Sequence, residues 1–326
     1  MVAITALGFI VLFALCSDST VPATAAAVQQ FFTAVLPSIF PFYVAATVLR
    51  QTSFCDVLSK ITEKPVKALF GVAGAGAFPI ITGMICGYPA GAAMSVELYR
   101  DGKLSSEDVV RLSAFVNNTG PLFIIGAVGA GMLGSAGIGS MLWGVHIVSA
   151  LLSGLVLCLV RRFLHTERSC FNYRGGSPLR AIVCGKKSFG QLLSESMTTS
   201  MYTMIPVAAA IIFFAAFNAV IASIGAYGAL SDFFIDIVPA KITESLLKGL
   251  VEITGGISSA AASGENINII LPVISLLAGF GGISVHFQVI GIYAKENIPC
   301  RNFIIGKCLQ GWIAFFLTLI SQASGF

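Results

Sequence analysis

Charged residues are scarce in this sequence. Of its 326 residues, 10% are Asp, Glu, Lys or Arg, whereas 56% are hydrophobic. A soluble globular domain has about 25% charged residues. So few charges cannot cover the surface of a folded chain in water. The composition therefore excludes an ordinary soluble protein and predicts a protein that is surrounded by lipid.

Short segments of alternating apolar and polar residues, which are typical of a membrane β-barrel, are also missing. The apolar runs are long and continuous instead, and several reach the roughly 20 residues that a membrane-spanning helix needs. The sequence therefore predicts an all-α membrane protein, a polytopic helical bundle.

Motifs of soluble enzymes and of metal sites are absent as well. There is no Gly-x-Ser-x-Gly, Walker, kinase or zinc motif, and the eight cysteines include no Cys-x-x-Cys pair. We therefore expect no enzyme, no catalytic residue, no metal ion and no cofactor. The net charge of +4 comes from a few basic loops without interleaved aromatic residues, so we expect no nucleic-acid partner. Without an ATP site, any transport would be passive or ion-coupled.

Hydropathy and charge divide the chain into four parts. Residues 1–22 are an apolar N-terminal segment without a basic start, which favours a retained membrane segment over a signal peptide. Two membrane regions follow, separated by a basic linker. We predict a first repeat at 23–165, a cytoplasmic linker at 166–194 and a second, inverted repeat at 195–326. Within the first repeat, Pro37 and Pro41 are expected to break the apolar region 21–49 into two helices.

Residues 68–96 are uncharged but too rich in glycine and proline for a straight span. They either cross the membrane or form a re-entrant hairpin that returns to its starting side. If this stretch and a second one at 249–264 are both hairpins, one side of the membrane collects 17 of the 19 Lys and Arg residues, in the loops 50–67, 100–111, 161–187 and 295–307. The positive-inside rule favours this arrangement and makes that side cytoplasmic.

The two halves of the chain have the same order of segments. Ile81-Thr82-Gly83 is echoed by Ile253-Thr254-Gly255, and the segment 113–129 by the segment 275–291. Because the two hairpins would enter from opposite sides, the pattern predicts two inverted repeats, each containing a re-entrant hairpin. The alternative is that glycine-rich membrane helices resemble one another without being repeats.

Polar residues inside the apolar segments mark a candidate site. A polar side chain that faces lipid is costly, and broken helices at membrane depth are tolerated where they line a cavity. We predict a substrate-binding site formed by Thr82, Gly87, Tyr88, Asn117, Asn118, Thr119, Glu252, Thr254, Ser258, Ser284, His286 and Gln288. Glu252 is also a candidate proton or cation site. The alternatives are close packing of small residues and hydrogen bonds that only hold helices together. Glu97 is expected to pair with Arg100, one turn further on.

Several motifs in the first half resemble a known family. They are Leu-Pro-Ser-Ile-Phe-Pro-Phe at 36–42, Gly-Ala-Phe-Pro at 76–79, Gly-Tyr-Pro-Ala-Gly at 87–91 and the run that begins Asn-Asn-Thr-Gly-Pro at 117–129. These motifs resemble the family of the sporulation integral membrane protein YlbJ, part of the wider nucleoside-recognition (Gate-domain) group. The resemblance implies a bacterial cell or spore membrane and a role in sporulation and spore cortex formation. It is specific over residues 36–130, architectural in the second half, and implies no particular substrate.

Together these features predict a multi-pass membrane transporter. It would move a small polar solute of unknown identity, passively or with a coupling ion, in the cytoplasmic or spore membrane. The expected partner is the lipid bilayer, and the sequence is also compatible with assembly into a homo-oligomer. The first alternative is a non-transporting scaffold or assembly factor for the spore envelope. The second is a membrane-embedded enzyme, for which Glu97 and Glu252 are the available acid–base groups.

Overall fold

Helices form the regular structure of the chain. The computed structural model describes residues 1–163, 188–233 and 238–324, and no strand occurs within these ranges. The all-α prediction is therefore confirmed. In chain order the helices are α1 (Val2–Leu15), α2 (Ser17–Gln30), α3 (Leu36–Arg50), α4 (Phe54–Phe70), α5 (Ala77–Ile85), α6 (Ala90–Arg100), α7 (Ser106–Leu112), α8 (Ala136–Phe163), α9 (Phe189–Ser223), α10 (Ala226–Phe233), α11 (Ala240–Val251), α12 (Ile253–Ala261), α13 (Ile267–Phe280), α14 (Gly282–Ala294) and α15 (Arg301–Ala323), with π-helical segments at Phe31–Val35 and Leu122–Met132.

Several helical segments are long and apolar enough to cross a membrane. Within the described ranges there are five, namely Ser17–Arg50, Ala136–Phe163, Phe189–Ser223, Ile267–Ala294 and Arg301–Ala323. A sixth is present if α4 and Gly74–Ile85, which meet at an 88° bend, count as one span. The shortest of the five, with 23 residues, is about 35 Å long and exceeds the roughly 30 Å hydrocarbon core of a bilayer.

The first long span differs from its predicted form. The sequence predicts breaks at Pro37 and Pro41, but the helical segment continues from Ser17 to Arg50. Pro37 lies in the first turn of α3, directly after the π-helical segment Phe31–Val35. Proline is tolerated there because the wider π turn already changes the hydrogen bonding to the preceding residues. This segment also crosses the predicted boundary between residues 22 and 23.

The order of elements in the first half recurs in the second. A long span (α2 and α3, or α9) is followed by a shorter helix (α4, or α10) and by two short helices joined by a tight connection. We call α5 and α6 the first helix pair, and α11 and α12 the second helix pair. A helical segment with a break and a closing span follow in both halves, α8 in the first and α15 in the second.

Both ends of the first helix pair lie in one network of loop contacts. Before α5, the Gly74 N–H donates to Glu63 Oε2 at 2.6 Å, and the Ala73 N–H donates to Asp108 Oδ1 at 3.3 Å. After α6, Asp101 accepts from Arg50 Nη1 at 2.5 Å. The pair therefore starts and ends among the loops around residues 50–56, 71–76 and 101–108.

The predicted pair of Glu97 with Arg100 is wrong. Glu97 lies 2.6 Å from Arg50 Nε, and Arg100 pairs with Glu296 across the bundle at 2.5 Å. Arg50 contacts both Glu97 and Asp101, which explains why the nearer sequence neighbour is not used. These ion pairs bring the loops near residues 50, 100 and 296 to the same end of the bundle.

The second helix pair begins earlier than the sequence predicts. The predicted stretch is 249–264, whereas α11 already begins at Ala240. Lys241 Nζ donates to the Ser263 carbonyl oxygen at 3.0 Å, so both ends of this pair are also adjacent. The pair follows α9, which leads from Ser196, a contact of Gln51, to Asn218, a contact of Tyr227 in α10.

Each helix pair packs closely against the break in the segment that follows it. We call residues 113–121, between α7 and the π-helical segment Leu122–Met132, the first break, and Gly281, between α13 and α14, the second break. A Cβ at Gly83 would lie 1.8 Å from the Val116 carbonyl oxygen, and one at Gly87 3.0 Å from the Gly120 nitrogen. In the second half, a Cβ at Gly282 would lie 2.9 Å from the Gly249 carbonyl oxygen. Glycine is therefore required where each pair meets its break.

The sequence Ser-Ser-Glu-Asp at 105–108 has the pattern of a helix N-cap followed by an acidic first turn, and α7 begins there. Ser105 Oγ accepts from the Asp108 N–H at 3.0 Å, and the Asp108 carboxylate accepts from the Ser105 N–H at 2.9 Å. This reciprocal capping box fixes where α7 begins. The helix ends after seven residues, at Leu112, where the first break begins.

Gly83→Ala is expected to destabilise the fold, because the new methyl group would overlap the Val116 carbonyl oxygen and the backbone would have to shift. The expected cost is about 1–3 kcal/mol, measured as a lower thermal unfolding temperature of the purified protein. Gly126→Ala is the matched control, since a Cβ there meets no atom within 4 Å. Equal stability of the two variants would contradict the close packing of the first helix pair.

Candidate functional site

A cavity of about 200 Å³ lies where the two helix pairs and the long spans meet. Its wall combines the middle of the first long span, the connection between α5 and α6, the end of the first break, α9, the start of α12 and α14. Seven of the predicted site residues line it: Gly87, Tyr88, Thr119, Glu252, Thr254, Ser284 and Gln288. Both halves of the chain therefore contribute to one cavity.

The other five predicted site residues do not line the cavity. Thr82 is buried within α5, where its hydroxyl donates to the Phe78 carbonyl oxygen at 2.9 Å. Ser258 is exposed on α12. Asn117, Asn118 and His286 are buried behind the cavity wall, where they bond to other parts of the protein.

Residues of the long spans complete the cavity wall, and sequence reasoning did not include them. Gln30 and Ser38 add polar groups from the first span, and Val207 and Ile211 add apolar groups from α9. Ser38 lies in the motif at 36–42 that carries part of the family resemblance. The apolar residues had no signal in the sequence, because any membrane span contains many like them.

Glu252 joins α11 to α12. Its backbone is extended, and its carboxylate accepts hydrogen bonds from the Thr254 N–H at 3.0 Å and the Gly255 N–H at 2.8 Å. A carboxylate in this position caps the helix and interacts favourably with its N-terminal dipole. In the described ranges, no Lys, Arg or His forms an ion pair with Glu252. The carboxylate thus lies in the cavity wall without a basic partner among the described residues.

Asn117 and Asn118 lie in the first break, and their side chains hold it in place. Asn117 Oδ1 accepts from the Ala92 N–H at 3.0 Å, and its Nδ2 donates to the Tyr293 hydroxyl at 3.3 Å. Asn118 Nδ2 donates to the Phe115 carbonyl oxygen at 2.8 Å. The Asn117 amide therefore connects the first break to α6 and α14, and the Asn118 amide forms a hydrogen bond within the break.

A lysine in α15 also supports the first break. The loop assignment from sequence placed Lys307 on the cytoplasmic side, but it is 0% exposed and lies inside a membrane span. Its Nζ donates to the Asn117 carbonyl oxygen at 2.9 Å and to Gln310 Oε1 at 2.8 Å. Gln310 Nε2 in turn donates to Asn118 Oδ1 at 3.0 Å. The assignment was wrong because α15 begins six residues before this lysine.

A histidine in α8 bonds to the same segment. His146 is buried, and its Nε2 accepts from the Thr119 N–H at 3.0 Å. Sequence reasoning missed His146, Lys307 and Gln310. The available signal was the presence of polar side chains within otherwise apolar spans.

The His286 side chain packs against neighbouring residues and does not line the cavity. Its Nδ1 lies 2.6 Å from the Gly282 carbonyl oxygen, one turn earlier in α14. Its ring lies between Phe280 and Phe303, at centroid distances of 4.6 and 4.9 Å. This imidazole is thus packed between two aromatic rings, and it does not line the cavity.

Gln310→Leu is expected to destabilise the protein by about 1–3 kcal/mol, because it leaves Asn118 Oδ1 without a donor and Lys307 with one acceptor fewer. The double variant Lys307→Met/Gln310→Leu should lose less stability than the sum of the single variants, since it removes both members of a bonded pair. Thermal unfolding of the four proteins gives the coupling. Cys308→Leu, at an exposed neighbouring position, is the control, and strictly additive losses would contradict the network.

Comparison with known proteins identifies a relative that covers most of the chain. The sequence is 28% identical over 314 residues to the sporulation integral membrane protein YlbJ of Bacillus subtilis (strain 168), and the match covers 90% of this chain and 75% of that protein. No family model matches the chain, and no solved structure matches it significantly. With its apolar spans, the chain is a multi-pass integral membrane protein. The match agrees with the resemblance of the sequence motifs to the family of the sporulation integral membrane protein YlbJ.

Proposed function

We propose that this protein is a membrane transporter of the Gate-domain type for a small polar solute, and not an enzyme. The observation that carries this proposal is the cavity between the two helix pairs, lined by both halves of the chain. Secondary transporters with internal repeats bind their substrates where the repeats meet, near discontinuous helices. A scaffold or assembly factor, the alternative function, does not need such a cavity.

The two halves are, in this proposal, inverted repeats, and each helix pair is a re-entrant hairpin. Three observations support it. The first helix pair begins and ends among the same loops, and the ends of the second pair are joined by the Lys241–Ser263 hydrogen bond. The second pair follows the far end of α9, away from the contact between Gln51 and Ser196. The first pair would thus enter the membrane from the cytoplasmic side and the second from the opposite side.

The proposed site has two groups of residues. Tyr88, Thr119, Glu252, Ser284 and Gln288 would contact the solute or a coupling ion from the cavity wall. Asn117 and Asn118, with Lys307 and Gln310 behind them, would act through the shape of the first break. Alternating access then requires the two helix pairs to move relative to the long spans that close the cavity.

A role in sporulation is part of the proposal. The relative that matches most of this chain carries sporulation in its name, and we propose that this protein also acts there, in forming the spore cortex. Transport of a small solute across a spore membrane would connect the cavity with that role. Loss of sporulation efficiency after deletion of the gene, restored by the intact protein, would support it.

Cysteine labelling tests the inverted topology. In a background without native cysteines, Ser53→Cys and Ser106→Cys, which lie before and after the first helix pair, should both react with an impermeant maleimide from the cytoplasmic side. Ser223→Cys and Ala262→Cys should react from the other side, because the second helix pair is proposed to return there. All four positions are exposed. Labelling of Ser53→Cys and Ser106→Cys from opposite sides would refute the first hairpin, and labelling of Ala262→Cys from the cytoplasm would refute the second.

Blocking the cavity tests transport. Ala34 lines the cavity, and Thr33 beside it does not, although both side chains are exposed. Ala34→Trp should reduce uptake by proteoliposomes at least about tenfold, because the indole ring fills the solute's place, and Thr33→Trp should not. Uptake is measured with a panel of labelled nucleosides, amino acids, sugars and amines. If the intact protein takes up none of them faster than empty liposomes do, or if both variants behave alike, the transporter proposal fails for these solutes.

A further inference from the structure

The cavity contains one charged group and much apolar surface. Of the residues that line it, Glu252 is the one with an ionisable carboxylate, and none is Lys, Arg or His. An ionised carboxylate accepts hydrogen bonds at about four lone-pair sites. Two of these are used by the Thr254 and Gly255 N–H groups, which leaves acceptor capacity for a ligand.

Gln288 adds a second polar side chain to the wall of the same cavity. Gln288 is 6% exposed, and its Oε1 has no hydrogen-bond partner within the part of the chain that the structure describes. Buried polar atoms in native proteins are normally hydrogen-bonded, so an orphaned amide oxygen requires an explanation. A ligand that donates hydrogen bonds would satisfy it.

The remaining wall is suited to an apolar body. Val35, Ile39, Phe123, Val207 and Ile211 line the cavity from the long spans and from the segment after the first break. With about 200 Å³, the cavity is smaller than the roughly 300–1,000 Å³ of sites for drug-sized ligands. Its contents must therefore be small.

We propose that the cavity binds a small organic amine, with the ammonium group at Glu252 and Gln288 and the apolar body against the long spans. This inference rests on the proposed function and specifies its substrate class. An ammonium group supplies three donors and a positive charge, which match an unpaired carboxylate and an unpaired amide oxygen. A neutral alcohol supplies one donor and no charge, and a carboxylate ligand would be repelled by Glu252.

The same chemistry exists in free amines and in the head groups of amino lipids. The experiment separates these sources through the composition of the bilayer. The protein is placed in nanodiscs of phosphatidylglycerol, which lacks an amine, or of phosphatidylglycerol mixed with phosphatidylethanolamine. Equal amine affinity in the two bilayers indicates a site for free amines, whereas weaker affinity in the mixed bilayer indicates competition by the lipid head group.

Two ligands of nearly the same shape, one with an ammonium group and one with a hydroxyl group, test whether binding depends on the positive charge of the ligand. We expect 2-phenylethylamine to bind the intact protein about ten- to a hundredfold more tightly than 2-phenylethanol, as measured by calorimetry, because a hydrogen bond to a charged group contributes that much. Glu252→Gln should remove the preference and keep the alcohol affinity, which also reports an intact cavity. Glu244→Gln is the matched control, since Glu244 pairs with Lys248 in α11 and lies outside the cavity wall.

Three results would overturn the proposal. The first is equal affinity of the intact protein for amine and alcohol, or binding of neither, and this comparison does not depend on any variant. The second is an amine preference that survives in Glu252→Gln. The third is an equal loss in Glu244→Gln. Amine binding that depends on Glu252 in a protein that takes up no solute would keep this site and refute the transport function instead.

Discussion

The structure depends on satisfying the backbone of the first break inside an apolar environment. In lipid, each unpaired N–H or C=O group costs several kcal/mol, and a segment without helical hydrogen bonds leaves several of them. Here the Asn117 carbonyl oxygen accepts from Lys307, and the Thr119 N–H donates to His146. Two distant spans, α8 and α15, thereby provide the partners that a regular helix would have provided locally. The break exists because these spans are packed against it.

The same constraint explains why Lys307 is buried without a carboxylate partner among the residues that the structure describes. An ammonium group is costly to bury in a membrane span. However, a long lysine side chain can carry its N–H donors to a carbonyl oxygen that no backbone amide lies close enough to bond. Lys307 donates hydrogen bonds to a main-chain oxygen and to the Gln310 side chain, and Gln310 donates a further hydrogen bond to Asn118. Donors and acceptors thus form one connected network, in which each polar group reduces the cost of burying the next.

Local sequence predicted those features that local physics determines. The glycine-rich stretch at 68–96, the cap at Ser105 and the apolar spans are properties of neighbouring residues, and they could be identified directly. The partner of Glu97 and the position of Lys307 depend on which distant helix packs nearby, so the nearest residue was a poor guide. The same limit applies to the site. Glu252 and Thr119 stood out as polar residues in apolar surroundings, but whether such a residue faces a cavity or a neighbouring helix is decided by packing, as Asn118 and His286 illustrate.

The glycine contacts between the first helix pair and the first break have a mechanical consequence. The backbones of Gly83 and Gly91 touch the Val116 carbonyl so closely that a methyl group does not fit between them. Where backbone packs directly against backbone, no side chain can change its rotamer to accommodate a shift. The two segments therefore cannot slide past each other without atomic overlap. The pair and the break therefore move as one rigid body, and any opening of the cavity must occur along its other wall, where the larger and more adaptable side chains of α3 and α9 face it.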